Sequence, residues 1–451
     1  MTTIAHPGPF PEQFIFGAAT AAYQIEGAHN KDGRKPSIWD AFSHIPGRVH
    51  NGDTGSIACD HYHRWEEDLD LMQAMNLDAY RFSFAWPRIL PDGTGAVNSK
   101  GLAFYDKLID GMLERRLRPF ATLYHWDLPI QLQGHGGWTQ SYTAHAFAEY
   151  AQMIAKHFGD RLETVTTLNE PWCSSILSYL YGIHAPGETS IQATVAAIHQ
   201  QHVGHGLAVQ AMRAEKSDLA LGIALNLHSV IAANDQPQEQ QAAQRFFDFH
   251  NGSFLDPIFR GYYPESYLQA LAAHLPVGWQ DDLDKIKQPL DFWGLNYYTP
   301  ARVKNDSKAP YPACKQRSPK DCEVTDIGWE IAPQAFSDLL FSVYRDYELP
   351  PCYITENGAC YNDQPVAGSV NDDKRTQYLA DHIEAVRQVM DEGHPVKGYF
   401  AWSLLDNFEW AEGYNMRFGL VHVDYETQQR TVKNSGLWYG QLAANHRSDS
   451  K

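Results

Sequence analysis

Positive charge is scarce in this chain: 36 lysines and arginines stand against 54 aspartates and glutamates, a formal net charge of −18. A surface of that sign repels phosphate backbones and anionic lipid headgroups, so neither nucleic acid nor a membrane is an expected partner. Long apolar runs are missing too, and no stretch approaches the ~20 residues that a bilayer span requires. Residues 1–12 are polar and proline-containing, without the basic start and apolar run of an export signal; a soluble, cytoplasmic protein is expected. Cysteine is sparse, with six residues at 59, 173, 314, 322, 352 and 360 and no CxxC spacing. They read as free thiols, with Cys314 and Cys322 the one pair worth testing for a bridge. Neither GxGxxG nor GxxxxGK[ST] occurs, which argues against nucleotide binding, and no cofactor is expected. No linker, charge block or repeat divides the 451 residues, so one unit spanning 1–451 is expected.

What is present suits a large core: 43% hydrophobic and only 20% charged residues, outside the range of disordered chains. Aromatics are heavy at 13%, with 12 tryptophans, and aromatic faces stack on the C–H faces of sugars as readily as on each other. Eight short apolar runs, at 14–20, 79–86, 119–125, 164–169, 220–227, 292–297, 352–356 and 398–404, read as buried strands. Helical patterns fall between them, at 57–75, 102–116, 142–158, 191–214, 334–347 and 376–391, and the Gln-rich patch 236–244 suits a helix start. Eight alternations favour a closed α/β barrel, a (β/α)8 TIM barrel with elaborated loops, over an open sheet. In such a barrel the residues beyond each strand converge on one face. Here they are carboxylates, amides, a histidine, an arginine and large aromatics, with no lysine to form a Schiff base.

Two of them stand out. Glu170, in Thr-Leu-Asn-Glu-Pro, and Glu356, in Ile-Thr-Glu-Asn-Gly, each close an apolar run and precede a strand-stopping residue. Paired carboxylates at one end of a sheet are what glycoside hydrolysis needs, one as acid and the other as nucleophile or base. Each taken alone is an ordinary loop charge or turn residue.

The order of motifs along the chain resembles the family 1 glycoside hydrolases, the retaining beta-glucosidases. It runs from Phe-Gly-Ala-Ala-Thr-Ala-Ala-Tyr-Gln-Ile-Glu-Gly at 16–27 and Tyr-Arg-Phe-Ser at 80–83 to Leu-Tyr-His-Trp-Asp-Leu-Pro at 123–129 and the Glu170 pentapeptide. Gly-Leu-Asn-Tyr-Tyr at 294–298, the Glu356 pentapeptide, Trp-Ser-Leu-Leu-Asp-Asn-Phe-Glu-Trp at 402–410 and Arg-Phe-Gly-Leu at 417–420 complete it. The resemblance implies that Glu170 is the acid/base and Glu356 the nucleophile, with Arg81 and Tyr298 supporting Glu356. It assigns Gln24, His125, Asn169, Asn296, Trp402, Glu409 and Trp410 to the first sugar. Trp172, Cys173, Leu177, His184, Asn226 and Trp329 match the entrance that receives the leaving group. The phospho-glycosidase branch carries Ser, Lys and Tyr where this chain has Glu409, Met416 and Phe418, so an unphosphorylated sugar is implied. Terminal beta-glucosides and cellobiose-like disaccharides lead; beta-galactosides, beta-fucosides, transglycosylation and a non-catalytic sugar-binding barrel stay open, as does a homo-oligomer.

Other features carry structural readings. His199, His202 and His205 are spaced like metal ligands, yet three-residue steps slew around a helix. His61 and His63 flank Tyr62 and point apart. Trp86 and Trp126 suit core as well as cleft.

Overall fold

The computed structural model describes residues 4, 6–317, 320 and 322–449. Eight parallel strands close into a barrel: β1 Ile15–Ala19, β2 Ala79–Ser83, β3 Arg118–Tyr124, β4 Thr164–Asn169, β5 Ala220–Asn226, β6 Trp293–Asn296, β7 Cys352–Asn357 and β8 Val396–Trp402. Each pairs with its sequence neighbour and β8 closes on β1. Strands with both faces covered need no polar alternation, and β1, β2, β4 and β6 are buried at every residue.

The lumen is filled. Phe120 of β3 meets Tyr353 of β7 at 5.3 Å and Phe400 of β8 at 4.8 Å between ring centroids. These strands are not neighbours in the barrel, so the contacts cross its interior and give the cleft a floor.

The helices pack outside. Ile191–Glu215 is the longest, capped by the Ser190 hydroxyl, which accepts from the Ala193 N–H. Asn434–Asp449, a helix that the sequence pattern does not announce, returns to the start of the barrel. From it the Tyr439 hydroxyl reaches the carbonyls of Gly17 in β1 and Tyr399 in β8, 2.9 Å from each, across the closing seam.

Two strands depart from the expected bounds by two residues or more, and five others by a single residue at one end or both. The second strand stops at Ser83, because Pro87 fits the first turn of a helix and Trp86–Ile89 forms one. The eighth begins at Val396 and ends at Trp402, where a cis peptide joins Trp402 to Ser403. The Gln-rich patch opens the helix Pro237–Phe247, with Gln236 as its N-cap. Also unforeseen are two small sheets: Val230–Ala232 with Ala301–Asn305 and Cys314–Gln316, and the hairpin Val421–Val423 with Arg430–Val432. Cys314 carries a free thiol, so it makes no bridge to Cys322. Among the described residues no helix is long and apolar enough to cross a membrane.

Candidate active site

Both glutamates stand where a barrel strand loses its regular register. The β4–β5 pairing slips between Thr166 and Asn169, and the β6–β7 pairing between Ile354 and Glu356. Such irregularities bend a strand and re-aim its last side chains. Glu170 follows with left-handed backbone, φ 48°, which costs an L residue about 1–2 kcal/mol. Trp126 and Trp410 are left-handed as well, at φ 77° and 49°. Strain gathered round one cleft persists where the surroundings over-determine it. The Glu170 N–H donates to the Ala224 carbonyl at 2.9 Å, and the Glu356 carbonyl accepts from the Tyr297 N–H at 3.0 Å. Beyond Glu356 the chain passes the carbonyl oxygen of Trp402 so closely that a Cβ on Gly358 would lie 1.8 Å from it. Only glycine fits there.

The two carboxyl groups are buried, at 5% and 3% exposure, and unequally served. Glu356 Oε1 accepts from Arg81 Nη1 at 2.6 Å, and its Oε2 accepts from the Tyr298 hydroxyl at 2.8 Å. Among the described residues no cation pairs with Glu170. Its Oε1 accepts from Asn296 Nδ2 at 2.7 Å and its Oε2 from the Cys173 thiol at 3.0 Å. Burial, with the Glu356 charge second, pushes the Glu170 carboxyl up to about 8. Burial also raises Glu356, but Arg81 and Tyr298 oppose it, so Glu170 is the group that keeps its proton.

Asn169 ties the set together. Its Oδ1 accepts from Arg81 Nη2 at 2.6 Å and from Asn296 Nδ2 at 3.1 Å, while its Nδ2 donates to His125 Nε2 at 3.0 Å. The Thr355 hydroxyl, not foreseen from the sequence, donates to Asn296 Oδ1 at 2.5 Å and so turns that amide's N–H toward Glu170. Burial and the Arg81 charge keep His125 neutral. With Nε2 accepting, its proton sits on Nδ1, which has no protein partner. Glu409 is pushed up to about 8, first by burial and then by Glu356 and Glu170. Gln24 Nε2 donates to the Phe408 carbonyl at 2.9 Å and Asn407 Oδ1 at 3.1 Å, with Glu409 Oε2 at 3.5 Å. Gln24 Oε1 and Asn226 Oδ1 are likewise buried without a protein partner. A hydroxyl-rich ligand matches such a set of open donors and acceptors.

These groups meet a cleft of about 650 Å³. Of the residues expected at the first sugar, His125, Asn296, Trp402, Glu409 and Trp410 line it beside Glu170, Glu356 and Tyr298. Gln24, Arg81 and Asn169 are buried at its margin, hydrogen-bonded to Glu409, Glu356 and His125 respectively. All six entrance candidates, Trp172, Cys173, Leu177, His184, Asn226 and Trp329, line the same cleft, with Cys173 against the Glu170 carboxyl and Asn226 beside it. The Trp172 indole N–H donates to His250 Nδ1 at 2.6 Å, which holds that ring upright. Trp126 also belongs to the cleft, its ring 4.6 Å from that of Trp410 and its indole N–H on the Asn169 carbonyl. Trp86 is core, stacked on Tyr150. Phe418 lines it too, and so do Ile183, Arg302 and Arg317, which were not foreseen; Arg302 lies on a small sheet that the alternating pattern did not reveal, and Arg317 directly follows a strand of it.

The histidine series has other duties. His199 and His202 share the Tyr263 hydroxyl, and His205 pairs with Thr167. His61 is buried on Asp68, whereas the exposed His63 faces Asp60. Among the described residues no group of three or more could hold a metal ion.

The model for Glycosyl hydrolase family 1 matches residues 6–448. A beta-glucosidase of an Agrobacterium species is 54% identical, over 96% of this chain and 95% of its own. The solved structure of the virulence factor SghA from Agrobacterium tumefaciens, also known with its substrate analog salicin, superposes with a TM-score of 0.95 at 55% identity, covering 96% of each chain in that complex. The family 1 beta-glucosidase of Thermotoga maritima gives a TM-score of 0.95 at 46% identity, over 97% of this chain and 99% of its own. With the family match covering nearly the whole chain, and relatives this similar over their full length, the chain belongs to glycosyl hydrolase family 1.

Proposed function

We propose that the protein is a retaining, exo-acting beta-glucosidase that releases terminal beta-D-glucosyl residues from cello-oligosaccharides and from aryl or alkyl glucosides. The observation that carries the reading is the inequality of the two buried glutamates: one on a cation and a phenol, the other cation-free and protonated. In the first step Glu356 attacks the anomeric carbon as the glycosidic C–O bond breaks, and Glu170 gives its proton to the departing oxygen. Esterification removes the Glu356 charge and with it one cause of the raised Glu170 pKa. Glu170, now ionised, takes a proton from the incoming water, whose oxygen displaces Glu356 from the same face as the original aglycone. Two inversions give net retention.

His125 Nδ1–H, the Gln24 carbonyl and Glu409 are suited to hold the sugar hydroxyls, with Asn169 positioned toward the 2-hydroxyl. A hydroxyl these groups fail to match leaves buried partners unpaired, which is how the site would discriminate between sugars. Met416 and Phe418 offer no cation where the phospho-glycosidase branch holds its phosphate, and a phosphate buried beside Glu409 would be left without a counter-charge, so the substrate is unphosphorylated. Trp172, Leu177, Ile183, His184 and Trp329 give the cleft aromatic and apolar wall beside the polar Arg302, Gln316 and Arg317, which suits an aryl or glucosyl leaving group.

The test is hydrolysis of 4-nitrophenyl beta-glucoside. Glu356→Ala should be inactive and, with azide, should yield the alpha-glucosyl azide. Glu170→Ala should keep activity chiefly on glucosides with excellent leaving groups and yield the beta azide. Near-native turnover by Glu356→Ala would overturn the assignment.

A further inference from the structure

We infer that Cys173 is a positioning residue for the acid/base: its thiol, donating to Glu170 Oε2, tunes the protonation of that carboxyl and fixes which way it faces. This rests on the reading of Glu170 given above.

The geometry is specific. Cys173 sits three residues after Glu170, at the start of the helical segment Cys173–Leu180, and its backbone N–H donates to the Glu170 carbonyl at 2.9 Å. The turn therefore brings the Sγ back over the carboxyl it follows, 3.0 Å from Oε2. Asn226 Nδ2, from the end of β5, lies 3.6 Å from Sγ on the donating side. Asn226 supplies a proton to the sulfur and the sulfur supplies its own to Glu170, so the thiol has one orientation rather than several.

A packing or redox role accounts for less. The residue is 6% exposed, and burial with the Glu170 charge keeps the thiol protonated, so it is neither a nucleophile nor an oxidation site. Toward Glu170 Oε2 the S–H is the donor. Donation to a carboxylate favours the ionised form. The other groups around Glu170 are Glu356 and Arg81, which are charged, and Glu409, whose proton burial holds, with Tyr298, His125 and Asn296, which are neutral. Burial and then Glu356 oppose ionisation, whereas the Cys173 hydrogen bond, followed by Asn296 and Arg81, favours it. A thiol is nonetheless a weaker donor than a hydroxyl or a cation. Weakness suits that role, because the acid must hold its proton for the first step and release it for the second, and a strong donor would leave it ionised at the outset.

The experiment is the pH dependence of kcat/KM for Cys173→Ala and Cys173→Ser on a glucoside with a poor leaving group. Without the donor, the alkaline limb should move up by about 0.5–1 pH unit in Cys173→Ala. Cys173→Ser keeps a donor and should stay at or below the wild-type limb. Cys173→Val, which refills the space, repeats the donor-free case if the alanine variant folds poorly. An unmoved limb in the donor-free variants, or a serine variant that tracks alanine, would overturn the inference. Glu170→Gln separates this failure from a failure of the underlying reading: if the alkaline limb persists in that variant, Glu170 is not the group titrating.

Discussion

Removing the Arg81 charge tests the electrostatics of the site most directly. Arg81 is 1% exposed, and its guanidinium serves three acceptors: Glu356 Oε1 at 2.6 Å, Asn169 Oδ1 at 2.6 Å and the Thr355 carbonyl at 3.3 Å. Truncating one partner of a buried ion pair costs about 3–5 kcal/mol because the other charge is left uncompensated. Glu356 can escape most of that penalty by taking up a proton. At 1.36 kcal/mol per unit, the same energy raises its pKa by about 2–4 units. The acid limb of kcat/KM in Arg81→Met should therefore climb by that amount, toward the range where Glu170 itself loses its proton. With the two limbs converging, the fraction of enzyme holding Glu356 ionised and Glu170 protonated collapses, and kcat/KM at pH 6 falls by roughly 10²–10³-fold.

Arg81→Lys separates charge from geometry. A lysine keeps the cation near Glu356 but cannot fork to Asn169, so the acid limb should stay within about 0.5 unit while kcat drops. The assay is the pH profile of 4-nitrophenyl beta-glucoside hydrolysis, with thermal melts to establish that each variant is folded. A folded Arg81→Met enzyme whose acid limb matched the wild type would refute the reasoning, since Glu356 would then owe its ionisation to something other than Arg81.

The cluster of buried carboxyls also makes stability depend on pH. Glu409 is raised from 4.5 to about 8, so between those values the folded state binds more protons than the unfolded one and stability falls as pH rises. Glu409→Gln removes that penalty. It should gain up to about 4 kcal/mol at pH 8.5 and almost nothing below pH 4.5, as read by chemical denaturation at the two pH values; equal effects at both would contradict the burial argument. Gly358→Ala, with its Cβ against the Trp402 carbonyl, should lower the melting temperature and cut activity together, because backbone must move and both Glu356 and Trp402 lie on it. Normal activity in that variant would mean the close approach is not what positions Glu356.

The barrel was legible because its evidence is local. Short apolar runs buried on both faces, each ended by a polar or aromatic cluster, announce parallel strands, and Thr164–Asn169 falls where the pattern puts it. The pattern failed at Trp86, where an apolar residue belongs to a helix that Pro87 permits, and at the small sheets, whose strands are three to five residues long. The pair Glu170 and Glu356 was legible as two strand-end carboxyls, and the motif order added their partners Arg81 and Tyr298. What differs is their chemistry, and that is not local. Glu170 is cation-free because of what β5, β6 and the Cys173 turn present to it, and Glu356 is served by a side chain from β2 and a hydroxyl beyond β6. The Cys173 contact shows the limit most clearly. An i, i+3 cysteine reads as helix packing, and whether its sulfur reaches the carboxyl depends on the left-handed backbone at Glu170 and the slipped β4–β5 register before it. Such a register is settled by the partner strand, so the residue that tunes the acid is set by a pairing some fifty residues away in sequence.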